Sequence, residues 1–127
     1  MRLLLDTHSF IWWDSAPDRL SERARLALRD PANVVLLSVV VPWEMQIKHA
    51  IGKLELRAPL TRLVEDQEAN GVQILPVTLR HVLALGALPL HHRDPFDRLL
   101  AAQAQVEGAV LVTRDSALTA YPVQTLW

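Results

Sequence analysis

The chain has 127 residues, half of them hydrophobic and 21% charged, which suits one globular domain with a sizeable core. It contains no cysteine, so disulfides, zinc-thiolate sites and thiol nucleophiles are excluded. The formal net charge of −1 gives no overall basic balance of the kind usual for a nucleic-acid binder. However, every cation except Lys48 and Lys53 is an arginine, the side chain that grips phosphate in a fork. Carboxylates gathered into one site would leave the remaining surface more basic than the total suggests.

The opening run Arg2-Leu3-Leu4-Leu5 is short and apolar and stops at Asp6, so it reads as a buried strand. It is too short for a signal segment or a membrane span, and a cytoplasmic protein is expected. Leu20 to Arg29 carries Leu20, Ala24, Ala27 and Leu28 at helical spacing, with Ser21 or Asp18 as caps. Val34 to Leu37 is a second buried strand, ending in Ser38. A helix is predicted from Pro42 to Ile51, with Gly52 just past its end. Another starts at Pro59 or Leu60 and runs to Ala69, closed by Asn70-Gly71. Val72 to Leu75 is a third strand and Thr78 to Leu85 a helix. Asp94-Pro95 opens a strong helix that reaches Glu107, with Gly108 as its stop. Ala109 to Val112 is the fourth strand, followed by a short helix from Ser116 and a last strand near Val123. No repeat or linker divides the sequence, so a single domain over 1–127 is expected. Continuous apolar strands alternating with helices require a parallel sheet covered on both faces. The expected fold class is therefore α/β, a three-layer α/β/α sandwich around a parallel sheet of four to five strands.

In such sheets, sites form beyond the carboxyl ends of the strands, near the point where strand order reverses. Asp6 follows the first strand and Asp115 the fourth, and each also suits a helix N-cap. If the first and fourth strands are neighbours, both acids reach one crevice. Glu44 lies in the first turn of the helix after the second strand, where an exposed pair with Lys48 would also explain it. Asp94 before Pro95 is well placed as an N-cap, with Asp97 at the third helical position. Asp97 joins the cluster if its helix face points at the strand rim. Crowded carboxylates, unneutralised by lysine on this reading, are tolerable when divalent cations sit among them. Oxygen-only ligands favour Mg²⁺ or Mn²⁺ over zinc, and such ions suit phosphodiester hydrolysis.

Four segments together are distinctive. They are Leu4-Leu5-Asp6-Thr7-His8; Pro42-Trp43-Glu44-Met45-Gln46-Ile47-Lys48 with Gly52-Lys53-Leu54; His92-Arg93-Asp94-Pro95-Phe96-Asp97-Arg98-Leu99-Leu100-Ala101-Ala102-Gln103-Ala104; and Thr113-Arg114-Asp115. In that order, over nearly the whole chain, they resemble the PIN-domain family, and more narrowly the VapC-type toxins of bacterial type II toxin–antitoxin pairs. The resemblance implies a Mg²⁺- or Mn²⁺-dependent endoribonuclease acting on an RNA substrate. It implies Asp6, Glu44, Asp97 and Asp115 as the catalytic, metal-binding quartet, with Thr113 as a supporting hydroxyl. Thr7 and Ser38 are weaker candidates for hydrogen bonds that support those acids, and Asp94 lies just outside the quartet. Pro42 stands where the family usually has Ser or Ala, a substitution expected to shift the start of that helix. The resemblance also implies a cognate antitoxin that reaches the acidic pocket with an arginine or an apolar helix, and a homodimer.

Two other functions fit parts of the pattern. A phosphatase or phosphotransferase would use Asp6 as a nucleophile, but it would place a second Asp where His8 stands and would need a lysine nearby. A non-catalytic binding module of the same fold would use Trp12, Trp13, Trp43 and Trp127 as interface anchors, although core or edge packing is the expectation for Trp43. Of the histidines, His8 suits a packing or ligand-orienting role. His91 and His92 are expected to be solvated loop residues near RNA phosphate, and none is expected to bind metal.

Overall fold

The computed structural model describes residues 1–127. Five parallel strands form one sheet: β1 (Arg2–Leu5), β2 (Val34–Ser38), β3 (Gln73–Leu75), β4 (Val110–Val112) and β5 (Thr125–Leu126), in the order β3-β2-β1-β4-β5. In the central strand β1, Leu3, Leu4 and Leu5 are all fully buried. Leu4 sits between Leu36 of β2 and Leu111 of β4. Helices α1 (Thr7–Ser15), α2 (Glu22–Arg29), α3 (Val40–Ala50), α4 (Leu60–Ala69), α5 (Leu79–Gly86) and α6 (Pro95–Glu107) supply the crossovers. Right-handed crossovers that first step away from β1 on one side and then on the other lie on opposite faces of the sheet. The expected three-layer sandwich is what forms.

Helix boundaries follow local chemistry. Ser21 caps α2 by accepting the Ala24 N–H at 3.0 Å. Thr78 and His81 form a reciprocal capping box for α5. Gly108 ends α6 in the left-handed conformation, φ 62°, which a side chain would resist. The helix expected from Pro42 begins two residues earlier, because the Ser38 hydroxyl accepts the Val40 N–H at 3.1 Å and starts the turn. Pro42 is tolerated there, since a first-turn N–H has no partner inside the helix.

The sequence reading passed over α1. Phe10-Ile11-Trp12-Trp13 is bulky on every side and carries no helical period, so only the Asp6 cap marks that helix. The last strand forms two residues later than expected. The Val123 N–H turns back onto the Tyr121 carbonyl at 2.8 Å, and pairing starts only after it. Trp43, expected to pack in the core or at an edge, is 55% exposed, with its ring set edge-to-face against Phe96 at a centroid separation of 4.9 Å. The long connection between α3 and α4 is pinned where Arg57 grips Asp14 with two hydrogen bonds, of 2.8 and 2.9 Å, and reaches Asp66.

Leu111, fully buried on β4 between β1 and β5, tests this arrangement. Leu111→Ala should lower stability by about 2–5 kcal/mol through lost burial and the cavity left behind. Urea unfolding followed by circular dichroism reads the change. A near-neutral result would mean that β4 is not an interior strand.

Candidate functional site

The chain builds β1, β2 and β3 outward in one direction, then returns to place β4 on the other side of β1. The reversal therefore lies between β1 and β4, and the crevice at their carboxyl ends receives whatever follows each strand. Asp6 follows β1 directly and Asp115 follows β4 by three residues. Both line a cleft of about 300 Å³ whose other walls are His8, Trp12 and Arg114. Glu44 enters from α3 and Asp97 from the first turn of α6.

Each acid has its own donors. Asp6 is buried; its Oδ1 accepts the Ser9 N–H at 2.9 Å, the Ser9 hydroxyl donates to the Val112 carbonyl at 2.9 Å, and the neighbouring Thr113 side chain favours the charged form of Asp6. Glu44 is 3% exposed, accepts the Thr7 hydroxyl at 2.7 Å and pairs with the Lys48 ammonium. The i,i+4 pair therefore forms, but around a buried carboxylate instead of at the surface. Asp115 accepts the Ala117 N–H at 2.9 Å through Oδ1, while its Oδ2 faces His92 at 2.8 Å. Thr113 is buried and accepts the Asp115 N–H at 3.0 Å, so one hydroxyl ties the residues after β1 and β4 together. Asp94 caps α6, accepting the Phe96 and Asp97 N–H groups at 2.8 and 3.2 Å. The Ser38 hydroxyl is engaged by Val40 and acts on the site through the start of the helix that carries Glu44.

Two residues at the site differ from the sequence reading. His92, expected to be a solvated loop residue, is half-buried, with Nε2 2.8 Å from Asp115 and 3.3 Å from Asp97. No local signal marks it, because its partners Asp115 and Tyr121 lie 23 and 29 residues away. Lys48 corrects the idea that no lysine neutralises the cluster. Besides binding Glu44 it feels the charges of Asp94 and Asp97, and the Glu44 hydrogen bond first, then those charges, hold its ammonium above the usual lysine range. His91 is the exposed member of its pair and meets the Tyr121 ring at 5.4 Å.

The electrostatics are uneven. Burial pushes the Asp6 carboxyl up, against the Ser9 and Thr113 hydrogen bonds and the charge of His8. Burial, then the charges of Asp94, Asp6 and Glu44, push Asp97 up to about 7, with His92 working the other way. Burial opposes ionisation of Asp115, yet hydrogen bonds from His92 and Ala117 outweigh it and hold that carboxyl low. Oxygen donors, no thiol, and a carboxyl kept part-protonated by its acidic neighbours fit a hard divalent cation.

A carboxyl raised from 3.8 to about 7 resists ionisation in the folded chain only. Between those values the folded state binds more protons than the unfolded one, so the metal-free protein loses stability as pH rises through that window. Asp97→Asn should raise the melting temperature in chelator at pH 8, with the gain shrinking toward pH 4. Asp94→Asn should leave the melting temperature nearly unchanged, because Asn caps about as well as Asp. Thermal melts at several pH values check both, and an Asp97→Asn gain independent of pH would contradict the charge argument.

Comparison with known proteins agrees with this arrangement. The family model described as PIN domain matches residues 3–123. The chain is 31% identical over 130 residues to the Ribonuclease VapC22 of Mycobacterium tuberculosis, covering 98% of each chain. Among solved structures, VapBC2 from Rickettsia felis bound to a DNA fragment from its promoter aligns with a TM-score of 0.74 at 18% identity, over 99% of this chain and 98% of that one. VapBC-5 from Mycobacterium tuberculosis, a member of the VapBC family of toxin-antitoxin systems, aligns with a TM-score of 0.60 at 17% identity, over 98% and 95%. The strand order, the matched residues and the full-length relative lead to one conclusion: the chain belongs to the PIN domain family.

Proposed function

We propose that this protein is a metal-dependent endoribonuclease, the toxin of a toxin–antitoxin pair, built as one domain over residues 1–127. The observation that carries the reading is the meeting of Asp6, Glu44, Asp97 and Asp115 at the β1/β4 reversal, in a chain 31% identical to a named ribonuclease along its whole length. Those four carboxylates would hold Mg²⁺ or Mn²⁺. Such an ion supplies a water of lowered pKa and neutralises charge on the leaving oxygen. The chain's own groups do the rest. Thr7 and Lys48 fix Glu44, while Ser9 and Thr113 fix Asp6. Arg114 and His8, on the wall of the same cleft, are placed to receive RNA phosphate.

The same reading brings two protein partners. A cognate antitoxin follows from the toxin–antitoxin assignment of VapBC-5. A second copy of the chain suits the outer face of α3, where Val39, Trp43, Ile47 and Ile51 recur every fourth residue and are 38–60% exposed. No helix is long and apolar enough to cross a membrane, and a cytoplasmic location accompanies the proposal.

The test is cleavage of a mixed cellular RNA pool, with sequencing of the ends produced. Cutting should require Mg²⁺ or Mn²⁺ and stop in EDTA. Asp6→Asn should lower the rate by more than about 100-fold, beyond the loss typical of an outer-shell partner. Asp94→Asn should retain measurable cutting. Cleavage that persists in excess chelator would remove the metal mechanism, and a dead Asp94→Asn beside an active Asp97→Asn would show that the third acid is Asp94.

A further inference from the structure

The geometry points to His92 as a positioning residue. We infer that its Nε2–H, fixed in one tautomer by the backbone, ties Asp97 to Asp115 at the spacing a shared divalent cation requires, without itself binding the ion. The inference rests on the metal-dependent reading of the acidic quartet.

His92 Nε2 and one carboxylate oxygen each from Asp97 and Asp115 lie within 4.8 Å of one another. By distance alone the three could be a ligand triad, since oxygens sharing one Mg²⁺ sit about 3–4 Å apart. Hydrogen bonding decides otherwise. The Asp94 backbone N–H donates to His92 Nδ1 at 3.0 Å, so Nδ1 is an acceptor and carries no proton. The ring then holds its proton on Nε2. The other end agrees, because Nε2 faces two carboxylate oxygens, which can only accept from it when ionised. A metal-binding Nε2 would have to be bare. The proton would then move to Nδ1 and meet the Asp94 N–H head on.

The main chain at His92 is also held from a second element. The His92 backbone N–H donates at 2.9 Å to the hydroxyl of Tyr121, a buried residue on the connection between β4 and β5. The start of the same loop is held where the Arg98 guanidinium donates to the Leu88 carbonyl at 3.2 Å. His92 is thus anchored to the N-terminus of α6 through Asp94 and to the segment beyond β4 through Tyr121. Those are the two elements that carry Asp97 and Asp115. A donor placed between two like charges, on a ring that cannot turn, sets their separation before any cation arrives. Outer-shell donors to ligating groups commonly change metal affinity by about 10–100-fold when removed.

Two measurements test this without reference to RNA. Calorimetric titration with Mn²⁺ should give an affinity about 10-fold weaker for His92→Ala. His92→Gln, whose amide nitrogen reaches about where Nε2 lies, should recover most of the loss. Long-range ¹H–¹⁵N spectra of the wild type, with the His92 signals identified by their absence in His92→Gln, should show the Nε2–H tautomer before and after saturation with Mg²⁺. Wild-type affinity in a folded His92→Ala overturns the inference, as does a loss that His92→Gln leaves unrelieved. Disappearance of the Nε2 proton on adding Mg²⁺ makes His92 a ligand and likewise overturns it. If His92→Ala fails to fold, the tautomer and the His92→Gln affinity decide alone. A wild type that binds Mn²⁺ as expected but cuts no RNA refutes the ribonuclease proposal and leaves the role of His92 standing. A wild type that binds no Mn²⁺ sinks the metal reading and this inference with it.

Discussion

Like charge held out of water is the constraint on which the rest of this structure depends. Asp6 and Glu44 are nearly inaccessible to solvent, and Asp97 is mostly covered. Carboxylates in such a place repel one another and lose hydration, and either penalty alone would favour the neutral acids. The sheet accepts this because its topology leaves a gap where the strand order reverses, ringed by helix starts whose N–H groups point inward. Asp6 caps α1, and Asp97 lies in the first turn of α6. There the unpaired N–H groups and the helix dipole favour negative charge.

The capping and metal-binding readings of these acids therefore do not compete. Asp115 illustrates why. One of its oxygens accepts the Ala117 N–H and fixes the side chain, while the other faces His92 across the crevice. Capping supplies the rigidity a metal ligand needs, and the second oxygen remains for the site. Asp94 is the contrasting case. A single oxygen, Oδ1, accepts both the Phe96 and Asp97 N–H groups, and the residue's backbone N–H goes to His92. Its contribution is to orient its neighbours. Glu44 follows the same logic through side chains, since Lys48 and Thr7 hold it where an unpaired buried carboxylate would be expensive.

What could be read in the sequence divides along physical lines. Strands buried on both faces declare themselves as unbroken apolar runs, and caps, Pro95 and Gly108 mark helix ends, so β1, β2 and α6 were legible nearly to the residue. Helix α1 was not, because an element packed on several sides loses the period that reveals a helix. Asp6 and Asp115 stand out as candidates because they follow strands, and Glu44 and Asp97 because they lie in the first turns of helices. His92 and Lys48 do not stand out, because their importance arises from folding. His92 sits in a loop whose path is fixed by Tyr121, 29 residues away, a partner that local spacing cannot disclose. Lys48 has a sufficient surface explanation in its spacing from Glu44, and only the burial of Glu44 turns that pair inward.

The unequal provision of donors also makes the acids unequal in how readily they carry negative charge. Asp115 has a backbone N–H and the His92 ring, which hold its carboxyl below the usual range. Asp6 has the Ser9 N–H and the neighbouring Thr113 against almost complete burial, which pushes it up. Asp97 has three acidic neighbours, set against His92 at 3.3 Å and the charge of Lys48. It is thus poised at the edge of ionisation near neutral pH. A cation in the crevice would supply the charge that Asp97 lacks, and its arrival would be coupled to loss of the Asp97 proton. Such coupling would let a chain of net charge −1 keep a concentrated acidic site, because the Asp97 charge need not be borne until something is present to neutralise it.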